Sequence, residues 1–365
     1  MRKLTNILVT GGAGFIGVNF IRFLMGEGTQ KSNFNGRIIN LDALTYAGNA
    51  TSLKEIEDKY GGTRYIFEKG NICNRELIED ILQKYLIDTV VHFAAESHVD
   101  RSIFDPESFI RTNVMGTFTL LEAARNFWKQ SDGIFGNDVL FHHISTDEVY
   151  GSLGETGYFT ENTPYDPQSP YSASKAAGDH LVMAYHHTYG LPVTISNCSN
   201  NYGPYQSPEK FIPLMIFNML EGKALPVYGD GKNIRDWIYV GDHINAVWTI
   251  MQKGKTGEKY NIGGENEWEN IKLLNLLINI VAIKSGINAD VIRSNIMYVK
   301  DRLGHDKHYA IDCSKTKREL GWKQIVSFKE GLENTIDWYL SHSDWVNDII
   351  SGEYRNWVEK NYTER

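Results

Sequence analysis

The side chains best able to do chemistry sit in two short stretches. Tyr171 and Lys175 are spaced Tyr-x-x-x-Lys, which puts both on one face of a helix. An ammonium beside a phenol stabilises the phenolate, so this spacing predicts a tyrosine whose proton affinity falls far enough to act as a base near neutral pH. Upstream lie Thr146, Asp147 and Glu148. Two adjacent carboxyls in different surroundings can divide the roles of acid and base. Alone, the first pattern describes many helix surfaces and the second many solvated loops. A third stretch, Thr10-Gly11-Gly12-Ala13-Gly14-Phe15-Ile16-Gly17, follows the apolar run Ile7-Leu8-Val9 and opens a helical pattern. Glycines three apart in that context allow a tight turn, close backbone approach to a pyrophosphate and close packing of helix on strand. The helix start offers unpaired N–H groups to phosphates. Asp42 ends the next strand-like run, 25 residues after Gly17, and would accept hydrogen bonds from a ribose. An acid there favours NAD over NADP, because it repels a 2′-phosphate.

The elements that must carry these groups alternate. Strand patterns at Ile7–Val9, 37–41, 63–67, 89–94, 139–144 and 192–196 are separated by helical patterns, notably 15–25, 77–85, 106–128 and 170–189. That order predicts an α/β fold of Rossmann type, a doubly wound parallel sheet covered on both faces. After residue 200 the texture becomes rich in turns, with Asn201-Tyr202-Gly203-Pro204 and Gly229-Asp230-Gly231. We read residues 1–197, with about 232–263 returning through the short run Tyr260-Asn261-Ile262, as the cofactor domain. Residues 198–231 and 264–365 form a smaller domain closing over it.

Composition narrows the function. The chain has 365 residues and a formal net charge of -8, which argues against a nucleic-acid binder. Cys73, Cys198 and Cys313 are scattered and odd in number, so neither a disulfide framework nor a zinc site is expected, and a reducing compartment fits. His142-His143 and His186-His187 are adjacent pairs without metal-ligand spacing, so no metal is expected. Met1-Arg2-Lys3 runs straight into a strand, which reads as no signal peptide. The apolar stretch 271–283 is too short to span a membrane and reads as a core helix. No Gly-x-Ser-x-Gly elbow points to a hydrolase.

With the glycine motif, Asp42, Tyr171 and Lys175 in hand, the chain resembles the extended short-chain dehydrogenase/reductases. Thr146-Asp147-Glu148 narrows this to the dTDP-glucose 4,6-dehydratases. An epimerase needs only the oxidising groups, whereas a dehydratase also needs a base at C5 and an acid at C6. The segments 41–49, 94–102, 198–205, 231–237 and 301–306 extend the resemblance over nearly the whole chain. It implies a cycle in which Tyr171 takes the C4 hydroxyl proton while hydride passes to NAD. Glu148 as base and Asp147 as acid then eliminate water across C5 and C6, hydride returns to C6, and C5 is reprotonated. NAD is regenerated each turn and stays tightly held.

By the same resemblance Gly11, Gly12, Gly14, Phe15, Ile16, Gly17, Asp42, Leu44, Thr45, Asn71, Ile72, Ala94, Ala95, Ser97, Thr112, Tyr171, Lys175 and Asn201 would contact NAD. Ser97, Thr146, Asn200, Lys210, Phe211, Pro226, Val227, Tyr228, Arg235, Asn270, Asp301, Arg302 and His305 would hold the sugar nucleotide. Arg235 and Arg302 can fork onto phosphate oxygens, and Tyr228 offers a ring to a pyrimidine. The chain departs from the family pattern at Asn71 (usually Asp), Leu303 (usually Pro) and His308 (often Arg), which touches the fit of the nucleotide. The resemblance also implies a cytoplasmic homodimer, with the helices at 106–128 and 170–189 meeting their copies in a four-helix contact, and a role in deoxysugar supply for polysaccharides. The alternatives are a UDP-glucose 4,6-dehydratase, a UDP-sugar 4-epimerase, and a non-catalytic NAD-binding regulator. The acid pair opposes the epimerase, and the retained Tyr171 and Lys175 oppose the regulator. One methyl separates thymine from uracil, worth only about 1–3 kcal/mol of discrimination.

Overall fold

The computed structural model describes residues 1–28, 30–130, 134–136, 138–154, 156–301 and 306–349. Its strands in chain order are β1 (Asn6–Thr10), β2 (Arg37–Asp42), β3 (Tyr65–Lys69), β4 (Thr89–His92), β5 (Leu140–Thr146) and β6 (Val193–Cys198). There follow β7 (Asn200–Tyr202), β8 (Leu225–Tyr228), β9 (Ile234–Tyr239), β10 (Glu258–Ile262), β11 (Glu267–Glu269) and β12 (Ile296–Val299). Seven of them form one parallel sheet in the order β10-β6-β5-β4-β1-β2-β3. The sheet is buried on both faces, as its uninterrupted apolar runs require. Ile7 and Val9 of β1 enter one apolar cluster with Phe20, Ile244 and Val247. Leu8 points the other way, among Ile39, Leu82, Leu121 and Phe141. The strand order reverses between β1 and β4, which is where open α/β sheets bind ligands.

The helix Pro170–Tyr189 is well delimited. Ser169 and Ser172 form a reciprocal capping box, Pro170 sits in the first turn, and Gly190 closes the end at φ 73. The expected helix at 106–128 is instead Pro106–Phe109, a π-helical stretch Ile110–Gly116, and Thr117–Trp128. Asn113 explains part of this: its side chain accepts from Glu96 N (2.9 Å) and donates to Glu96 O (3.0 Å) and Ser174 Oγ (2.8 Å). The third strand begins at Tyr65 rather than 63, because Gly62 at φ 71 still belongs to the preceding turn.

The rest of the chain builds around a separate apolar cluster that includes Ile212, Met215, Leu273, Leu277, Leu332 and Ile336. A three-stranded sheet, β11-β9-β7, and a pair, β12-β8, accompany it. Of the segment 232–263, the helix Val240–Lys253 packs on the helix Phe15–Met25 and β10 extends the large sheet beside β6, while β9 lies in the three-stranded sheet. The stretch 271–283 lies in the helix Asn270–Ser285. Among the described residues no helix is long and apolar enough to cross a membrane.

Candidate active site

A cavity of about 740 Å³ lies over the C-terminal ends of the central strands. On its floor the chain turns sharply from β1 into the helix Phe15–Met25. Gly14 precedes that helix with no side-chain cap, so the first N–H groups face the cavity. A Cβ at Gly17 would stand 2.3 Å from Gly11 O and 2.6 Å from Gly12 Cα, and one at Gly11 2.6 Å from Ala94 N and Cα. Only glycines permit this close packing, and a diphosphate fits the resulting cradle. Asp42 closes it: its Oδ1 accepts from Leu44 N (2.8 Å) and its Oδ2 from Ala13 N (2.9 Å). Burial raises its proton affinity, and those two N–H groups oppose the rise.

The reacting groups come from β5 and the helix Pro170–Tyr189. Thr146 ends β5 and caps a short 3-10 turn, Asp147–Tyr150, by accepting from Glu148 N at 3.3 Å. Its hydroxyl also meets Asp147 Oδ1 at 3.2 Å. Asp147 is 2% exposed, and its Oδ2 has no partner among the described residues. Burial first, then the charges of Glu148 and Asp236, holds its carboxyl well above the usual range, and Arg235 opposes them. Asp147 is thereby biased toward its protonated form, while Glu148 is half-buried beside it. These are the differing surroundings that a divided acid and base require.

Tyr171 and Lys175 both line the cavity. Burial and the charge of Glu148 push the Tyr171 phenol well above its ordinary value, against a hydrogen bond from Thr146. The fall expected from a nearby ammonium is thus absent in the protein alone, where desolvation is the largest influence. Lys175 donates to Ile144 O at 2.8 Å; burial lowers its proton affinity, and Asp179 opposes that.

Of the expected cofactor contacts, Gly11, Gly14, Phe15, Ile16, Gly17, Asp42, Thr45, Asn71, Ile72, Ala94, Ala95, Ser97, Thr112 and Asn201 line this cavity. Gly12 and Leu44 do not: a Cβ at Gly12 would meet the Asn40 side chain, and Leu44, at φ 53, gives its backbone N–H to Asp42. Asn71 uses its Oδ1 on Cys73 N at 2.8 Å, the turn that a carboxylate there would also make. Of the expected substrate contacts, Ser97, Thr146, Asn200 and Lys210 share the cavity. Lys210 donates to Ser97 O at 2.9 Å, and the buried Oδ1 atoms of Asn200 and Asn201 have no partner among the described residues.

Phe211, Pro226, Val227, Tyr228, Arg235, Asn270 and Asp301 lie outside it, around the smaller core. Val227 is 1% exposed within that core, so its side chain is unavailable to a ligand. Arg235 does not present an open fork. It donates to Ile234 O (2.7 Å), Asp306 O (2.9 Å) and Lys307 O (3.4 Å), with its guanidinium 4.3 Å over the Tyr309 ring. Arg302 and His305 lie outside the described residues.

A family model described as GDP-mannose 4,6 dehydratase matches residues 8–335. A dTDP-glucose 4,6-dehydratase of Xanthomonas campestris pv. campestris (strain B100) is 52% identical over 349 residues, 95% of this chain and 97% of that protein. dTDP-glucose 4,6-dehydratase 1 of Escherichia coli (strain K12) is 51% identical over 372 residues, 98% of this chain and 99% of that protein. The chain belongs to the dTDP-glucose 4,6-dehydratase family. Its fold matches that of DesIV, a dTDP-glucose 4,6-dehydratase from Streptomyces venezuelae solved with NAD bound. That match has a TM-score of 0.84 at 43% identity and covers 94% of this chain and 100% of the other.

Three contributors to the site escaped the sequence reading. Cys198 lines the cavity, its thiol pushed up to about 12, chiefly by burial. It opens the 198–205 segment that carries part of the family resemblance. Tyr46 also lines the cavity and lies under the Arg101 guanidinium at 3.7 Å. Trp345 reaches the cavity from the helix Ser343–Ile349 and donates to Ser52 Oγ at 2.8 Å, a contact between residues 293 apart that no local pattern announces.

Proposed function

We propose that this chain converts dTDP-glucose to dTDP-4-keto-6-deoxyglucose and water. The observation that carries the reading is one cavity holding Tyr171, Lys175 and a carboxyl pair in unlike surroundings, Asp147 buried and Glu148 half-buried beside it. NAD, when bound, supplies the hydride acceptor for C4 and the hydride donor for C6. Tyr171 accepts the C4 hydroxyl proton, with Lys175 beside it as the cation that stabilises the phenolate. Thr146 orients the sugar at C4 through its hydroxyl. The resulting ketone acidifies C5–H; Glu148 removes that proton and Asp147 gives its own to the departing C6 hydroxyl, and C5 is reprotonated as hydride returns to C6. The Gly11–Gly17 turn and the helix start bind the cofactor diphosphate, and Asp42 its ribose. The Asn200 and Asn201 carbonyl oxygens accept from bound hydroxyl or amide groups. Tyr228, Asn270, Arg235 and the 301–305 segment take the nucleotide diphosphate, which requires Arg235 to exchange backbone carbonyls for phosphate oxygens.

Residues 1–197 with about 232–263 serve as the cofactor domain, and 198–231 with 264–365 as the sugar-nucleotide domain. The chain acts as a homodimer through the helices of 106–128 and 170–189. Ile110, Met115 and Phe118 support this, being 49%, 50% and 38% exposed on that first helical run. Three unpaired cysteines fit a cytoplasmic setting, and the product would feed deoxysugar supply for polysaccharides. The test is incubation of the purified protein with dTDP-glucose, UDP-glucose or GDP-mannose, without added NAD, followed by mass spectrometry. Loss of one water from dTDP-glucose is expected. Loss from UDP-glucose instead would move the substrate, and conversion to an epimer without mass change would overturn the role of the carboxyl pair.

A further inference from the structure

Tyr171, Lys175 and Asp179 follow one another at intervals of four along one stripe of the helix Pro170–Tyr189. Asp179 is 1% exposed and does not line the cavity, so it meets neither substrate nor cofactor there. Its Oδ2 accepts from Ser145 Oγ (2.8 Å), Tyr165 Oη (2.7 Å) and Asn197 Nδ2 (3.3 Å). His143 Nε2 stands 3.2 Å from its Oδ1. Groups from β5, β6 and the loop before the helix thus converge on one buried carboxyl. Such an arrangement of donors favours the ionised form. An ionised carboxylate is costly to bury unless a cation lies near. Lys175, one helical turn away and itself buried, acts on it through its charge rather than by a direct ion pair, its ammonium donating to Ile144 O at 2.8 Å.

We propose that Asp179 is a positioning residue for the oxidation step: it keeps Lys175 charged beneath Tyr171 and so sets the upper pH at which that pair works. The proposal rests on the reading of Tyr171 and Lys175 as the oxidising pair. Lys175 is pulled toward its neutral form by burial, and Asp179 is the first group to oppose that pull; Cys198 from β6 comes next, but its thiol is itself pushed up to about 12. Burial works against the Asp179 charge as well, but His143, Lys175 and Tyr165 together hold its carboxyl below the ordinary value. The other groups facing this cluster do not supply the missing negative charge. Burial lowers the proton affinities of His92 and His143 and raises those of Tyr150 and Tyr165, so none of the four adds negative charge, while Lys259 adds positive charge toward Asp179. Glu148 and Asp147 face Tyr171 rather than Lys175.

The experiment follows C4 oxidation in a single turnover, as reduction of bound nicotinamide on mixing holoenzyme with dTDP-glucose, across pH. Asp147 and Glu148 perform their proton transfers after this step, so its alkaline limb reports Lys175. In Asp179→Asn the amide keeps the shape and removes the charge. The alkaline limb is expected to fall by about one pH unit or more, roughly a tenfold loss where the wild type is still on its plateau. Asp179→Glu, which restores the charge, returns the limb toward the wild-type position even where its maximal rate is lower. If Asp179→Asn is poorly folded, Asp179→Ser removes the same charge and leaves room for water, with the same expected shift. A uniform loss of rate with an unmoved limb would make Asp179 merely structural and overturn the proposal. Wild-type protein that oxidises nothing would instead overturn the dehydratase reading.

Discussion

Replacing Asp147 by Asn isolates a single proton. The carboxyl is 2% exposed, meets the Thr146 hydroxyl at 3.2 Å through Oδ1, and has no partner on Oδ2 among the described residues. An amide occupies the same volume and can still accept from Thr146, so packing is preserved. What disappears is the acid proton, whose hold on Asp147 is strengthened by burial and by the Glu148 charge. Positioned acid catalysis is worth about 10²–10⁴ in rate, or about 2.7–5.4 kcal/mol of barrier. Asp147→Asn should therefore lose about that factor in kcat for water loss. Glu148 remains, so exchange of the C5 hydrogen with deuterated solvent should continue at a rate well above that of water loss. Mass spectrometry of recovered dTDP-glucose in deuterium oxide reads exchange and elimination together. Glu148→Gln should abolish both while leaving C4 oxidation intact. If Asp147→Asn eliminates water within about threefold of wild type, or if it stops C5 exchange as completely as Glu148→Gln, the division of roles is wrong.

Other outcomes follow from the same geometry. Gly17→Ala would drive a Cβ to 2.3 Å from Gly11 O, backbone against backbone. We expect about 1–3 kcal/mol of destabilisation and loss of NAD on desalting, with thermal melting and absorbance as the readouts; full NAD retention would show the turn to be more yielding than it looks. Met115→Asp, on the exposed stretch that supports the proposed dimer, should give a monomer in sedimentation at micromolar concentration, since a desolvated charge costs several kcal/mol; an unchanged sedimentation coefficient would remove that face as the interface. His142 and His243 are buried neutral, their proton affinities lowered to about 3 by burial. The unfolded chain protonates both near pH 6.5, so stability is full above that pH and falls as pH drops toward 3. The slope is about 2.7 kcal/mol per pH unit for the two together. Urea midpoints that stay flat between pH 6.5 and 5 would contradict this.

Much of the molecule was legible in the chain, because the features concerned are local. The glycine spacing at Gly11, Gly14 and Gly17 dictates a turn wherever it follows a buried strand, and the Tyr171 to Lys175 interval dictates a shared helical face. Alternating strand and helix patterns gave the parallel sheet, since no other architecture buries both faces of so many apolar strands. The 106–128 stretch was legible as helical but not as π-helical, because Asn113 answers to Glu96 and Ser174 from other parts of the fold. Val227 and Arg235 suited a ligand by residue type. Only packing shows that one lies inside a core and that the other is tied to the carbonyls of residues 306 and 307. Proton affinities were the least legible. Tyr171 stands above rather than below its ordinary value because burial and the Glu148 charge raise it. Asp179 becomes a counter-charge only when Ser145, Tyr165 and Asn197 arrive from three other segments. Residue type and spacing determine which groups can meet along one element. Burial and the field at each group depend on what the distant chain packs against them, and that is decided only when the sheet closes.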